Sequence, residues 1–320
     1  MIRFEHVSKK YKNGTTAIDS LDVEIKQGEF FVFIGPSGSG KTTSLKMINQ
    51  LIPLSEGMIY IDGKRITDYD IHELRYNIGY VLQQIALFPH MTIEENIMIV
   101  PEMKKWPKDK MKQRAYDLLE MVGLDPAIYA KRKPNQLSGG EQQRVGVIRA
   151  LAADPDIILM DEPFSALDPI SREKLQDDLL AWKGNLKKTT VFVTHDMQEA
   201  LKLADRICIM KDGKMVQVGT PHELIHSPIN EFVQQFVGSK KEQWDYAFHL
   251  QDVLFSFKQG NDENIPSVSI SSSLQDVMEK LSENERLKVE SDGEVLGYID
   301  RQAVIQYMSS RLQERGITNG

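Results

Sequence analysis

At 320 residues, 41% hydrophobic and 27% charged, the chain is long enough for one large domain and a smaller one, and its composition is not that of a disordered chain. Its 46 Asp and Glu against 39 Lys and Arg leave a net charge of −7, which argues against non-specific attraction to nucleic acid or anionic lipid. Charges in Met1-Ile2-Arg3-Phe4-Glu5-His6 stand where a signal peptide needs an apolar run, and no uninterrupted apolar stretch of about 18 residues occurs. The expectation is a chain that neither spans a membrane nor is exported, with no nucleic-acid partner.

In chain order, Gly28-Glu29-Phe30-Phe31-Val32-Phe33-Ile34 is an apolar run rich in β-formers, which reads as a strand buried on both faces. It ends at Gly35-Pro36-Ser37-Gly38-Ser39-Gly40-Lys41-Thr42, followed by Thr43, and this segment satisfies G-x-x-x-x-G-K-[ST] between a strand and a helix. Glycines let backbone N–H groups curl around phosphate oxygens, and the start of the next helix points its positive dipole end at the same anion. Lys41 would reach the outer phosphates, and the Thr42 hydroxyl suits Mg²⁺. Leu45, Ile48 and Ile52, at spacings of three and four, predict a helix from near Lys41 that ends before Pro53.

Residues 101–155 are mostly helical in pattern, a helical insertion taken to span about 85–155. Within it, Ser138 and Glu141 of Leu137-Ser138-Gly139-Gly140-Glu141-Gln142-Gln143-Arg144 form a capping box that opens a helix carrying Val145, Ile148 and Ala152. Two glycines in a first helical turn cost about 1 kcal/mol each against alanine, so capping alone does not favour them, whereas bare N–H groups at a helix start suit a phosphate. Ile157-Ile158-Leu159-Met160-Asp161 and Thr189-Thr190-Val191-Phe192-Val193-Thr194-His195 repeat the pattern of an apolar run followed by a helix. Buried strands alternating with helices predict a mainly parallel α/β sheet, whose ligands collect beyond the strand C-termini. The single cysteine, Cys208, sits in the apolar run Ile207-Cys208-Ile209-Met210 and allows no internal disulfide; a small buried strand residue in a reducing compartment is expected.

The segment from Leu137 to Gln142 resembles the signature motif of the ATP-binding-cassette (ABC) family, and other family motifs follow in order over residues 1 to about 238. Tyr11 resembles the aromatic on which adenine stacks, Gln83 the Q-loop glutamine, Asp161-Glu162 the end of the Walker B strand, Ser165-Ala166-Leu167-Asp168 the D-loop, and His195 the switch histidine. The resemblance implies an ATPase of P-loop ABC-type α/β fold with ATP and Mg²⁺ as cofactors. Thr42, Gln83 and Asp161 would serve the metal, and Glu162 and His195 would be catalytic. Residues Gly35 to Thr43, Tyr11, Gln83, Ser138, Gly139, Gly140, Glu141 and Asp168 would bind nucleotide. In the family the signature of one subunit caps ATP held by another, which implies a second copy of this chain as partner. A P-loop kinase or GTPase would need neither Leu137–Gln142 nor a histidine at a strand end.

Ile78 to Thr92, Asp161 to Ile170, and Thr194 to Ala200 are similar to importers of the glycine betaine, carnitine and choline class. That resemblance implies a subunit on the cytoplasmic face of the membrane, with transmembrane permease subunits contacting the Q-loop and helical subdomain and an extracellular or fused substrate-binding protein acting indirectly. The solute would be a quaternary ammonium compound or a relative such as ergothioneine. An importer for another small solute and a soluble ABC ATPase without a membrane partner are the alternatives. Periodicity lapses around Gly238-Ser239-Lys240-Lys241-Glu242-Gln243, making 239–265 a linker or a degenerate remnant. Residues 266–315 read as a strand, a helix, two strands joined at Asp292-Gly293, and a helix through Val304, Ile305 and Met308. This resembles a small α+β CBS (cystathionine β-synthase-type) unit. Where adenosine-binding CBS units often have Ser or Thr, this chain has Gly297-Tyr298-Ile299-Asp300, a departure that leaves open a module that dimerises without a ligand.

Overall fold

Apolar runs without alternation bury both faces of a strand, and in this protein they form the middle of one sheet. The structure, a computed structural model, describes residues 1–186, 188–238, 250–254, 265–270, 272, 274–291 and 294–306. The chain divides into two units, Met1–Lys241 and Glu242–Gly320. In the first, β1 (Ile2–Lys10) and β2 (Thr16–Ile25) precede β3 (Phe30–Ile34), and a loop leads from β3 into α1 (Lys41–Ile48). Next come β4 (Glu56–Ile61), β5 (Lys64–Arg65), α2 (Ile71–Tyr76) and β6 (Ile78–Val81). Helices α3 (Ile93–Met103), α4 (Lys108–Met121), α5 (Pro126–Tyr129) and α6 (Gly139–Leu151) separate β6 from β7 (Ile157–Asp161). The unit closes with α7 (Pro169–Leu186), β8 (Thr189–Thr194), α8 (Met197–Leu203), β9 (Arg206–Lys211), β10 (Lys214–Gly219), α9 (Pro221–His226) and α10 (Glu231–Gly238).

The larger sheet has the order β10-β9-β3-β8-β7-β6 and is parallel except where β10 pairs with β9. Every residue of β3, β7 and β8 is buried. Their register sets Ile34 beside Thr194 and Asp161 beside Val193, so three strand C-termini end side by side and deliver their loops to one place. A second sheet, antiparallel and ordered β2-β1-β4-β5, was not foreseen from the sequence. It shares a core with the first: Ile2, Phe4, Leu21 and Ile25 pack with Phe31, Phe33 and Leu45, and Phe4 meets Phe33 edge-on with ring centroids 6.4 Å apart. Cys208 is fully buried in β9, where desolvation pushes its thiol well above the usual range.

Helix α1 stops at Ile48, earlier than the spacing to Ile52 suggested, because Asn49 caps it and Gln50 takes a left-handed φ of 54°. Ile52 packs against the core from outside the helix. The second unit contains β11 (Ser267–Ser269), α11 (Leu274–Glu283), β12 (Arg286–Ser291) and β13 (Glu294–Asp300), with residues 301–306 helical. β11 pairs parallel and β13 antiparallel with β12, around Val268, Val277, Leu281, Leu287, Val289, Ile299 and Val304. Asp292-Gly293, Met308, residues 309–315 and most of 239–265 lie outside the described residues. Among the described residues, no helix is long and apolar enough to cross a membrane.

Candidate functional site

The loop between β3 and α1 is shaped by what a side chain could not do there. A Cβ on Gly35 would lie 2.1 Å from the Met210 carbonyl oxygen, and one on Gly40, whose φ is 99°, would lie 2.5 Å from that of Ala17. Gly40→Ala is therefore expected to lower stability by about 2 kcal/mol from left-handed strain and overpacking, read as a lower urea midpoint at unchanged m-value. The Lys41 side chain is buried and its Nζ donates to the carbonyls of Gly35 at 2.8 Å and Pro36 at 3.0 Å. Burial pulls the Lys41 pKa down, and Glu162 and Asp161 partly restore it.

Next to Lys41, the Thr42 hydroxyl donates to Asp161 Oδ1 at 2.7 Å. The other oxygen, Oδ2, accepts from the Tyr80 hydroxyl at 3.3 Å and lies 3.7 Å from Lys46 Nζ. Burial, reinforced by Asp161, pushes the Tyr80 hydroxyl far up, so it remains a proton donor. Glu162 follows at the tip of β7 with a left-handed φ of 45°, a conformation that costs a non-glycine residue roughly 1 kcal/mol or more and is held only where the surroundings enforce it. Its N–H donates to the Val193 carbonyl at 2.9 Å, which ties the turn to β8. Glu162 Oε2 lies 3.0 Å from His195 Nδ1 and accepts from Gln83 Nε2 at 3.5 Å. Three loops thus meet on one carboxylate.

These groups border a cleft of about 530 Å³ lined by Ala17, Ser37, Gly38, Gly40, Lys41, Thr42, Thr43, Gln83, Glu162 and His195. The chemistry of the lining fits a phosphate chain. The Gly40 cap supplies no side-chain hydrogen bond to the start of α1, the loop's Ser39 hydroxyl is buried without a hydrogen-bond partner among the described residues, and glycines at φ 80° and 99° keep the backbone bare. It also fits a hard cation, since a hydroxyl and a carboxylate oxygen stand 2.7 Å apart at Thr42 and Asp161. Gly35, Pro36, Ser39 and Asp161 complete the surround without lining the cleft.

Tyr11, Ser138, Gly139, Gly140, Glu141 and Asp168 do not line it. Tyr11 is 40% exposed, with Lys9 Nζ 5.1 Å from its ring centroid. Ser138 and Glu141 form the expected capping box at the start of α6, and Tyr129 Oη donates to Glu141 at 2.6 Å, holding that carboxyl below its usual range. A Cβ on Gly140 would come within 3.0 Å of Ser171 Oγ, whereas one on Gly139 would meet nothing. Packing therefore crowds one of the two signature glycines and leaves the other open to solvent. Asp168 accepts from the Ser171 N–H at 3.0 Å, and its hydrogen bonds to Ser171 hold its carboxyl low. Sequence reading missed Lys46 and Tyr80. Lys46 stands four residues after Thr42, on the same helix face, a signal that was available; Tyr80 needed the β6–β7 pairing.

A model of the ABC transporter family matches residues 18–165. The chain is 48% identical over 303 residues to the carnitine transport ATP-binding protein OpuCA of Listeria monocytogenes, covering 94% of this chain and 75% of that protein. The chain belongs to the ABC transporter family. It is also 58% identical over 241 residues to the glycine betaine/carnitine/choline transport ATP-binding protein OpuCA of Bacillus subtilis, covering 75% of this chain and 63% of that one. The chain thus spans less than two thirds of the length of that relative. Among solved structures it matches the dimeric post-hydrolysis state of the ATP-binding cassette MJ0796 bound to ADP and Pi, with 39% identity, a TM-score of 0.62, and coverage of 69% of this chain and 99% of that one. The first unit thus has the mixed α/β fold of the ABC nucleotide-binding domain.

Proposed function

We propose that this chain hydrolyses ATP and that its turnover powers uptake of a quaternary ammonium or betaine-type solute through membrane subunits. The observation that carries the proposal is the meeting of Gln83, Glu162 and His195 on one carboxylate beside Lys41 and Thr42. In this reading Gly35 to Thr43 hold the β- and γ-phosphates through backbone N–H groups and the Lys41 ammonium. A Mg²⁺ ion held by Thr42 and Asp161, with Gln83 near its waters, would neutralise charge on the phosphate oxygens. Glu162 accepts a proton from water as the water oxygen bonds to the γ-phosphorus and the bond to the ADP oxygen breaks. His195, 3.0 Å from Glu162, is placed to steady both the carboxylate and the γ-phosphate. Phosphoryl transfer asks little else of a protein than positioning and charge neutralisation.

Ser138, Gly139, Gly140, Glu141 and Asp168 do not line the cleft, and Tyr11 is left to stack on adenine. A second copy of this chain would bring its signature helix start over the nucleotide, in keeping with the dimeric state of the solved relative. The membrane subunits would dock on the helical subdomain of about 85–155, placing the chain at the cytoplasmic face, with a substrate-binding protein outside. The relatives' names supply the solute class: carnitine for the Listeria monocytogenes protein, and glycine betaine, carnitine or choline for that of Bacillus subtilis. Residues 1–238 would be the cassette, 239–265 the linker or remnant, and 266–315 a CBS-like unit. Uptake of labelled glycine betaine, carnitine, choline and ergothioneine is expected to fall in cells lacking this chain. Unchanged uptake of all four would overturn the solute class without touching the ATPase.

A further inference from the structure

His195 reaches the cleft with a side chain that is 63% exposed, and its described contact there is Glu162. Something other than packing must fix where the imidazole sits. Its two neighbours in the chain are held by one buried polar relay. Thr194, 1% exposed at the end of β8, donates its hydroxyl to Glu199 Oε2, and the same Thr194 oxygen accepts from the Asp196 N–H at 2.9 Å. Asp196 then caps α8 by accepting from the Gln198 N–H at 2.8 Å. Glu199 is 6% exposed, and a carboxyl in that position is costly unless its hydrogen bonds repay the desolvation. Desolvation raises its pKa, opposed first by the Thr194 hydrogen bond. Nothing in the proposed hydrolysis uses Glu199.

We infer that Glu199 is a positioning residue for His195: by accepting the Thr194 hydroxyl proton it aims the Thr194 oxygen at the Asp196 N–H, and so fixes the turn that carries the imidazole to Glu162. Without the acceptor the hydroxyl is free to rotate, the Asp196 N–H loses a defined partner, and the exposed histidine gains a range of positions relative to Glu162. This inference rests on the ATPase reading above. It concerns geometry at the reacting end of the cleft and leaves the phosphate loop untouched, so it separates kcat from KM.

The test measures kcat and KM for Mg²⁺-dependent ATP hydrolysis by the full chain, with thermal midpoints as a folding control. Glu199→Ala and Thr194→Val are each expected to lower kcat about 10- to 100-fold, the scale of a small misplacement of a reacting group, with KM for ATP within about twofold of wild type. Glu199→Gln, which still presents an acceptor oxygen, and Thr194→Ser, which keeps the hydroxyl, are expected to retain kcat within about threefold, since each allows both hydrogen bonds of the relay to form. The double variant Thr194→Val/Glu199→Ala is expected to be no slower than the slower single variant, because both break one chain of contacts. Unchanged kcat in Thr194→Val, equal losses in Thr194→Ser and Thr194→Val, a parallel rise in KM, or additive losses in the double variant would each overturn the inference. Should Glu199→Ala fail to fold, the Thr194→Ser and Thr194→Val pair decides it. An inactive wild-type chain would refute the ATPase reading itself, an outcome distinct from any of these.

Discussion

Glu162→Gln is expected to lower ATP turnover by about 10²- to 10⁴-fold, the range supplied by a positioned general base, while nucleotide still binds. The substitution keeps the length of the side chain and one acceptor oxygen toward Gln83 and His195, and removes the negative charge together with the ability to take a proton. The turn is unusual for a residue of this size, with φ 45° at Glu162 and its N–H fixed to Val193, so an isosteric change tests chemistry without adding strain. Phosphate release gives the turnover, and light scattering on a sizing column with ATP gives the assembly. A loaded dimer with little turnover is expected. Hydrolysis at the wild-type rate, or a chain that stays monomeric with ATP, would count against the roles assigned to Glu162 and to the partner copy.

Lys41→Met is expected to abolish stabilisation by nucleotide while leaving the unliganded protein as stable as wild type or more so. The ammonium is buried and held by two loop carbonyls, and desolvation is the largest influence on it, lowering its pKa. The sign follows from linkage. A lysine with its folded pKa depressed binds its proton less tightly in the folded chain than in the unfolded one, so below the depressed value it costs stability, and that cost is relieved as pH rises from there toward the ordinary lysine value of 10.5. A phosphate chain in the cleft would supply the missing counter-charge, worth roughly 1.5–3 kcal/mol for a charged hydrogen bond. Thermal midpoints with and without ATP and Mg²⁺ read this directly, because only a ligand that binds the folded state shifts them. A nucleotide-dependent rise in Lys41→Met equal to that of wild type would remove Lys41 from the site.

Much of the site was legible because its residues are punctuation in the chain. Gly35 to Thr43 announce themselves by spacing, and Asp161, Glu162 and His195 by standing at the ends of apolar runs. What the chain order hides is which strands become neighbours. The pairing of β8 with both β3 and β7 brings Glu162 to His195, and that of β6 with β7 brings Tyr80 to Asp161. The antiparallel sheet escaped notice for a different reason. β1 and β2 begin to alternate, as in Ile2 and Phe4 or Leu21, Val23 and Ile25, but register shifts between Phe4 and Val7 and a left-handed φ at His6 and Ser20 interrupt the period of two. Both signature glycines were assigned to an anion from their place at a helix start; the approach of Ser171 Oγ to Gly140 is a further contact that no spacing rule carries.

Phosphate release from ATP by the purified wild-type chain, followed with and without Mg²⁺ and beside Lys41→Met as a control, tests most directly whether the strand tips form one catalytic cleft. Saturable, Mg²⁺-dependent release that disappears in Lys41→Met is the expected result. No release at saturating ATP and Mg²⁺, or release unaffected by loss of the Lys41 ammonium, would contradict it.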